Sequence, residues 1–291
     1  MTNIQLFFAC VAIWGSTWLA ITFQLGSVAP EASVFYRFLL ASLILFVYCR
    51  ARGLKLAYNA RQHVWLAAQG LTMFSASYVL VYHAEALVVS GLVAVGYSAS
   101  PLLNMLGVRI FYGTPMRLGI VTGALLGLAG ITLVFWPEFG TLSADSKVVL
   151  GALFTALSVL IAATGSVLAS RNMQLELPVW QSLSWGMLYG SGFTLLYILA
   201  SGTPLGFESS PRYVLSLLYL AVAGSILAFA CYYILLGRIG PARAGYIGVM
   251  VPIMALAVSA LFEGFAWHAE TWAGVALSVV GNMVILRTGK S

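Results

Sequence analysis

Ten stretches of about 20 mostly apolar residues follow one another along this chain, and little polar sequence is left between them. In the first half they run 4–25, 32–50, 63–83, 86–111 and 116–136. In the second they run 148–171, 178–200, 212–236, 241–263 and 269–287. About 20 residues is the length a helix needs to cross the hydrocarbon of a bilayer. Lipid offers the backbone no hydrogen bonds, and a helix supplies them internally. Of the 291 residues, 61% are hydrophobic and 8% charged, against roughly a quarter charged in a soluble domain. The chain therefore reads as an all-α integral membrane protein with ten transmembrane helices. The longest connections, Ala51–Gln62 and Pro137–Lys147, are too short for a soluble domain. Residues 4–25 follow no basic n-region and lack a small-residue cleavage site, so they read as a retained first span.

Basic residues set the expected orientation. With the N-terminus in the cytoplasm, the inner side receives Arg50, Arg52, Lys55, Arg61, Arg109, Arg117, Arg171, Arg238, Arg243, Arg287 and Lys290. Only Lys147 and Arg212 fall outside. That asymmetry obeys the positive-inside rule and puts both termini in the cytoplasm. The net charge of +6 is thus a topology signal, and no nucleic-acid partner is expected.

Internal repetition is the second constraint. A step of 151 carries Pro101 onto Pro252, Gly113 onto Gly264, Gly123 onto Gly274 and Gly130 onto Gly281. It also carries Tyr82 onto Tyr233 and Tyr78 onto Phe229. Residues 1–136 and 148–291 are then two copies of one unit. Five spans per copy is an odd number, so the second copy is inverted across the membrane. Inverted repeats enclosing a central cavity are a recurring design of alternating-access carriers.

Short motifs agree with this reading. Trp14-Gly15-Ser16-Thr17, the run Arg37-Phe38-Leu39-Leu40-Ala41, and Gly240-Pro241-Ala242-Arg243-Ala244 followed by Pro252, Glu263, Gly274 and Gly281 together resemble the EamA-type drug/metabolite transporters. The resemblance covers the whole chain, and the YddG-like exporters of amino acids and aromatic metabolites are nearest. It implies ten helices forming a basket, a cavity lined by spans 1, 3, 4, 6, 8 and 9, and export across a bacterial inner membrane. The first repeat departs by carrying Tyr112 where Glu263 stands in the second.

The residues nominate a site of their own. A proline inside a span frees the carbonyl four residues earlier, here Tyr97 and Gly248, which suits a hinge beside a pathway or a static kink. Trp14, Tyr78, Tyr82, Tyr97, Tyr233 and Tyr246, with Ser16, Thr17 and Ser98, offer an apolar wall with hydroxyl handles for a neutral or zwitterionic molecule. The plainer alternatives are core packing for the rings and hydrogen bonds back to their own helix for the hydroxyls. Arg37 lies inside the second span, where an ionisable group is a functional suspect. It either meets a substrate carboxylate, locks a gate against Glu31 or Glu85, or snorkels outward. His83 and Glu85 form the titratable cluster at the outer end of the third span, and Pro101, Pro252, Arg37, His83 and Glu85 are the gating candidates.

No Asp or Glu stands mid-span, which favours facilitated export over strong ion coupling. Enzyme chemistry is not expected: His63, His83 and His268 lie at span ends without metal-binding spacing, and Cys10, Cys49 and Cys231 are scattered. No cofactor or metal is implied. A small metabolite, an amino acid first, is the expected substrate, with a drug or sugar-derivative exporter using proton antiport as the alternative. The choice between monomer and homodimer stays open.

Overall fold

The computed structural model describes residues 1–113, 118–140, 146–175, 177–244 and 247–288. Among these no strand is found, and ten helical rods carry the chain back and forth. They are Asn3–Thr22, Pro30–Ala51, Ala60–Glu85, 90–112, Leu118–Gly140, Ser146–Gln174, Val179–Ser201, 211–244, Ile247–Phe262 and Ala269–Thr288. Seven helices are long and apolar enough to cross a membrane, with shorter apolar stretches at Val121–Val134 and Met250–Phe262. Leu43, Val47, Leu153, Leu160, Leu196 and Leu199 stand exposed on the outside of the bundle, where a soluble protein would carry charge.

Local chemistry fixes the rod ends. Thr2 and Asn59 each close a capping box, with Gln5 and Gln62 returning the bond. Ser210 caps the eighth rod through the Tyr213 N–H. Gly113 and Gly264, partners under the step of 151, stop the fourth and ninth rods with φ of +67° and +72°, a backbone shape that favours glycine. The eighth rod runs on to Ala244, past Gly237 and Gly240, where the sequence suggested an end near 236. Glycine interrupts helices readily in water, but in lipid the helix is what keeps the backbone paired.

Spans at matching positions of the two halves pack against each other. The second and seventh meet through Cys49 against Ser184, Phe46 against Trp185 and Tyr48 against Trp180. These contacts join the last turns of Pro30–Ala51 to the first turns of Val179–Ser201, so two helices lying side by side here are antiparallel. The fifth and tenth approach still more closely. A Cβ built on Gly130 would lie 2.6 Å from the Gly274 carbonyl oxygen, and one on Gly281 would lie 2.5 Å from that of Gly123. Adding 151 to Gly130 and subtracting it from Gly274 turns one contact into the other, as a two-fold relation between the halves requires. Small residues at both points allow this backbone-to-backbone approach, which in lipid replaces the hydrophobic drive.

Two of the rods lose the regular α ladder at corresponding places. Thr72–Ala76 in the third and Leu220–Leu227 in the eighth are π-helical, and the step of 151 carries the first segment onto 223–227. Such segments are rare and frequent at functional sites. In the fourth rod a 3₁₀ turn, Tyr97–Ala99, separates Ser90–Gly96 from Ser100–Tyr112.

Candidate substrate site

Pro101 stands in the first turn of Ser100–Tyr112, where a missing N–H costs nothing. The carbonyl of Tyr97 is taken by the Ser100 N–H through the 3₁₀ turn. The first repeat thus resolves its proline as a break, whereas Pro252 sits inside a continuous helix. Ser98 and Pro252 share a crevice of about 240 Å³, counted to its open mouth, with Val95, Ile253, Val275 and Ser278.

The aromatic candidates gather between the halves. Trp14 meets Phe229 at 5.1 Å, Phe229 meets Phe74 at 5.2 Å, Phe74 meets Phe38 at 5.3 Å and Phe38 meets Tyr78 at 4.8 Å. This chain of rings ties together the first, eighth, third and second spans. Tyr97 adds the fourth span by packing on Trp18 at 5.2 Å. In this conformation rings occupy the space where the sequence leads to a cavity. The second span contributes Phe38 to this chain, although the resemblance left that span out of the lining.

Arg37 sits against this ring chain, only 1% exposed. It does not snorkel. Its Nε donates to Ser225 Oγ at 3.0 Å, and its guanidinium carbon lies 4.7 Å from the centre of the Tyr78 ring. The π-helical stretch of the eighth span shapes this contact. Ser225 turns its own hydroxyl to the Leu220 carbonyl, five residues back, while the Gly224 carbonyl accepts from Trp14 Nε1 at 3.2 Å. Thr17 packs its methyl toward Gly224 and returns its hydroxyl to the Trp14 carbonyl. Ser16 points elsewhere: it bonds the Ala12 and Ile13 carbonyls and Tyr219 on the outer surface.

Two layers of polar contacts flank the rings. At one end His83 Nε2 meets Glu31 Oε1 at 2.8 Å, and Tyr82 donates to Gln24 at 2.8 Å. There, too, Glu263 accepts from the hydroxyls of Ser90 and Ser259, fastening the fourth span to the ninth. Glu85 is buried beside them with neither carboxylate oxygen hydrogen-bonded. At the other end Tyr233, fully buried, accepts from Gln69 at 3.2 Å, and Gln69 in turn accepts from Asn172 at 2.7 Å. Tyr233 therefore joins this second layer by its hydroxyl, while its ring lies edge-on to Phe229 at 6.3 Å, and Tyr246 lies outside the described residues.

Sequence reasoning missed Trp18, Gln24, Gln69, Asn172 and Ser225. The first four stand near span ends or among rings, where a lone polar residue carries no periodic signal. The π segment that turns Ser225 toward Arg37 has no proline or glycine pattern to announce it. Among the described residues no group of three or more His, Cys, Asp or Glu is placed to hold a metal.

Long apolar rods, antiparallel twin contacts and a polar-aromatic centre buried among them are the build of a multi-span membrane protein, and its likeness to known proteins makes it a transporter rather than an enzyme. The chain belongs to the EamA-like transporter family, which it matches over residues 1–136 and again over 149–287. It is 30% identical to the uncharacterized inner membrane transporter YedA of Escherichia coli K12, over 97% of this chain and 89% of that protein. It is 21% identical to the protein PagO of Salmonella typhimurium LT2, over 98% and 93%. A solved crystal structure superposes with a TM-score of 0.73 over 99% of both chains at 20% identity, a likeness of fold.

Proposed function

We propose that the protein exports small metabolites, amino acids foremost, by alternating access between two inverted five-helix units, 1–136 and 148–291. The observation that carries this reading is the meeting of like with like: second against seventh span, and fifth against tenth, both antiparallel. Equivalent elements that meet head to tail fit a two-fold axis in the membrane plane, and such an axis lets the units exchange two openings related by that rotation around one fixed site. The site is the ring chain from Trp14 to Tyr78, with Tyr82, Tyr97 and Arg37 at its edge.

The termini are taken as cytoplasmic. The layer of Glu31, His83 and Glu263 is then the outer gate, and that of Gln69, Asn172 and Tyr233 the inner one. The π segments and the 97–99 turn are the places where the rods can bend without unpairing more of the backbone. The partners are the small-molecule substrate and the lipid bilayer.

Efflux from proteoliposomes loaded with a mixture of amino acids, with and without a pH gradient, tests the reading. Saturable loss of one or more amino acids beyond protein-free vesicles supports it, and equal rates with and without the gradient support facilitated movement. No loss above the control for any amino acid refutes the substrate class.

A further inference from the structure

Most buried polar atoms at the centre of this protein find a partner, as they must where water is scarce. The exceptions include Trp18 Nε1, Gln24 Nε2 and Asn172 Oδ1, and two ionisable groups beside the ring chain, Arg37 and Glu85. Arg37 is 1% exposed and its Nη1 has no hydrogen-bond partner. Glu85 is 6% exposed and both its oxygens are without one. Arg37 packs on the Tyr78 ring, and Glu85 follows Tyr78 by seven residues, two turns along the same helix face, yet the two charges form no ion pair. A guanidinium and a carboxylate so placed would normally close on each other, because a charge out of water and unpaired costs several kcal/mol. Tyr82 stands on the helix turn between Tyr78, which Arg37 touches, and Glu85.

Neighbouring charges do not resolve the mismatch. Glu263 is already held by Ser90 and Ser259 and, being an acid, offers Glu85 no opposite charge. Glu31 is engaged by His83. Ser225 takes one of the five guanidinium donors, and the face of that group is covered by the Tyr78 ring, a contact that a carboxylate arriving beside Tyr78 would complement.

We propose that Arg37 and Glu85 are the two poles of a zwitterion site: Arg37 receives the carboxylate of an α-amino acid and Glu85 its ammonium group, with the side chain lying along the ring chain. This deepens the export reading and rests on it. It narrows the substrate to molecules carrying both charges on one carbon, and it excludes amines and hydroxy acids as good substrates.

The test uses the purified full-length protein and two probe series: L-phenylalanine, L-phenylalaninamide and 3-phenyllactate; and L-alanine, L-alaninamide and lactate. The amide keeps only the ammonium group, the hydroxy acid only the carboxylate. Competition against amino-acid efflux and thermal stabilisation are both read. In at least one series the amino acid is expected to bind about 30-fold or more tightly than either analogue, the loss typical of leaving a buried charge without its mate. Glu85→Gln is expected to erase the preference over the hydroxy acid while keeping that over the amide, and Arg37→Gln the reverse. A structural role would weaken all three probes alike.

Equal competition by all three probes while amino-acid efflux persists overturns the zwitterion site and leaves the export reading standing. Efflux of no amino acid overturns both. Recovery of wild-type transport in the Arg37→Gln/Glu85→Gln double variant would make the two residues an ion pair of another conformation, and also overturns the proposal. Should Arg37→Gln not fold, Arg37→Lys replaces it: loss of binding with retained stability supports the guanidinium's role, and unchanged selectivity contradicts it.

Discussion

Replacing Gly130 by alanine perturbs the tightest contact between the halves with a single methyl group. That methyl would collide with the Ser278 hydroxyl and lie 2.6 Å from the Gly274 carbonyl oxygen and 2.7 Å from the Ser278 nitrogen. Two of these three atoms are backbone, so no side-chain rotation relieves the clash, and the fifth and tenth helices must separate. Overpacking of this kind costs about 1–3 kcal/mol, less up to about 1 kcal/mol returned because alanine is the better helix former. Gly127, one turn away on the same helix, is the control, because a Cβ there meets nothing within 4 Å. At about 2–4 °C per kcal/mol for chains of this order, Gly130→Ala should unfold several degrees below Gly127→Ala in a thermal-shift assay in one detergent. Equal melting temperatures would refute the backbone-to-backbone packing of the two halves.

Three further outcomes follow from the site and the rod ends. Ser225→Ala leaves the buried Nε of Arg37 without its partner and should cost about 1–3 kcal/mol, read as a drop in thermal stability that Ser225→Thr largely restores. Ser210→Ala removes the cap of the eighth span and should cost about 1 kcal/mol. The same change frees Glu208, whose carboxyl the hydroxyls of Ser210 and Ser27 hold below its ordinary value. A group depressed in this way stabilises above its unfolded value and loses that contribution as the pH falls through its folded one. The variant should therefore titrate Glu208 closer to the ordinary carboxylate range, as seen by NMR of a labelled carboxyl. Glu263→Gln keeps the shape but weakens the charged clasp of Ser90 and Ser259 between the fourth and ninth spans. It should raise the rate of labelling of a cysteine placed at Val89, half-buried beside Ser90, compared with the same cysteine in the parent, and an unchanged rate would contradict a gating role for this clasp.

Much of the architecture was legible because lipid leaves a chain few options. Apolar runs of fixed length became rods, and the glycines and prolines spaced by 151 marked real counterparts. Gly113 and Gly264 share a left-handed backbone, and the Gly123–Gly281 and Gly130–Gly274 contacts are images of each other. The same features hid as much as they revealed. Pro101 and Pro252 match in sequence but one opens a helix and the other sits within one, because the surrounding 3₁₀ turn, not the proline, decides whether a bond is lost. Arg37 was noticed as the one charge inside a span, yet its full burial depends on Ser225 and on the Tyr78 ring, contacts more than 180 and about 40 residues away in sequence. The π segments left no trace in hydropathy, since one extra residue per turn changes the face of a helix without changing its composition. Tyr233 reads like Tyr82 under the repeat, but Gln69 and Asn172 draw it into the opposite polar layer.

Inversion of the two halves is tested most directly by cysteine accessibility in a background lacking Cys10, Cys49 and Cys231. Lys55 and Ser209 are exposed in the connections after the second and seventh spans, which are counterparts under the repeat. With a membrane-impermeant maleimide on intact cells, Ser209→Cys should react at once and Lys55→Cys only after the membrane is opened. Labelling of both from the same side would mean that the second half is not an inverted copy of the first.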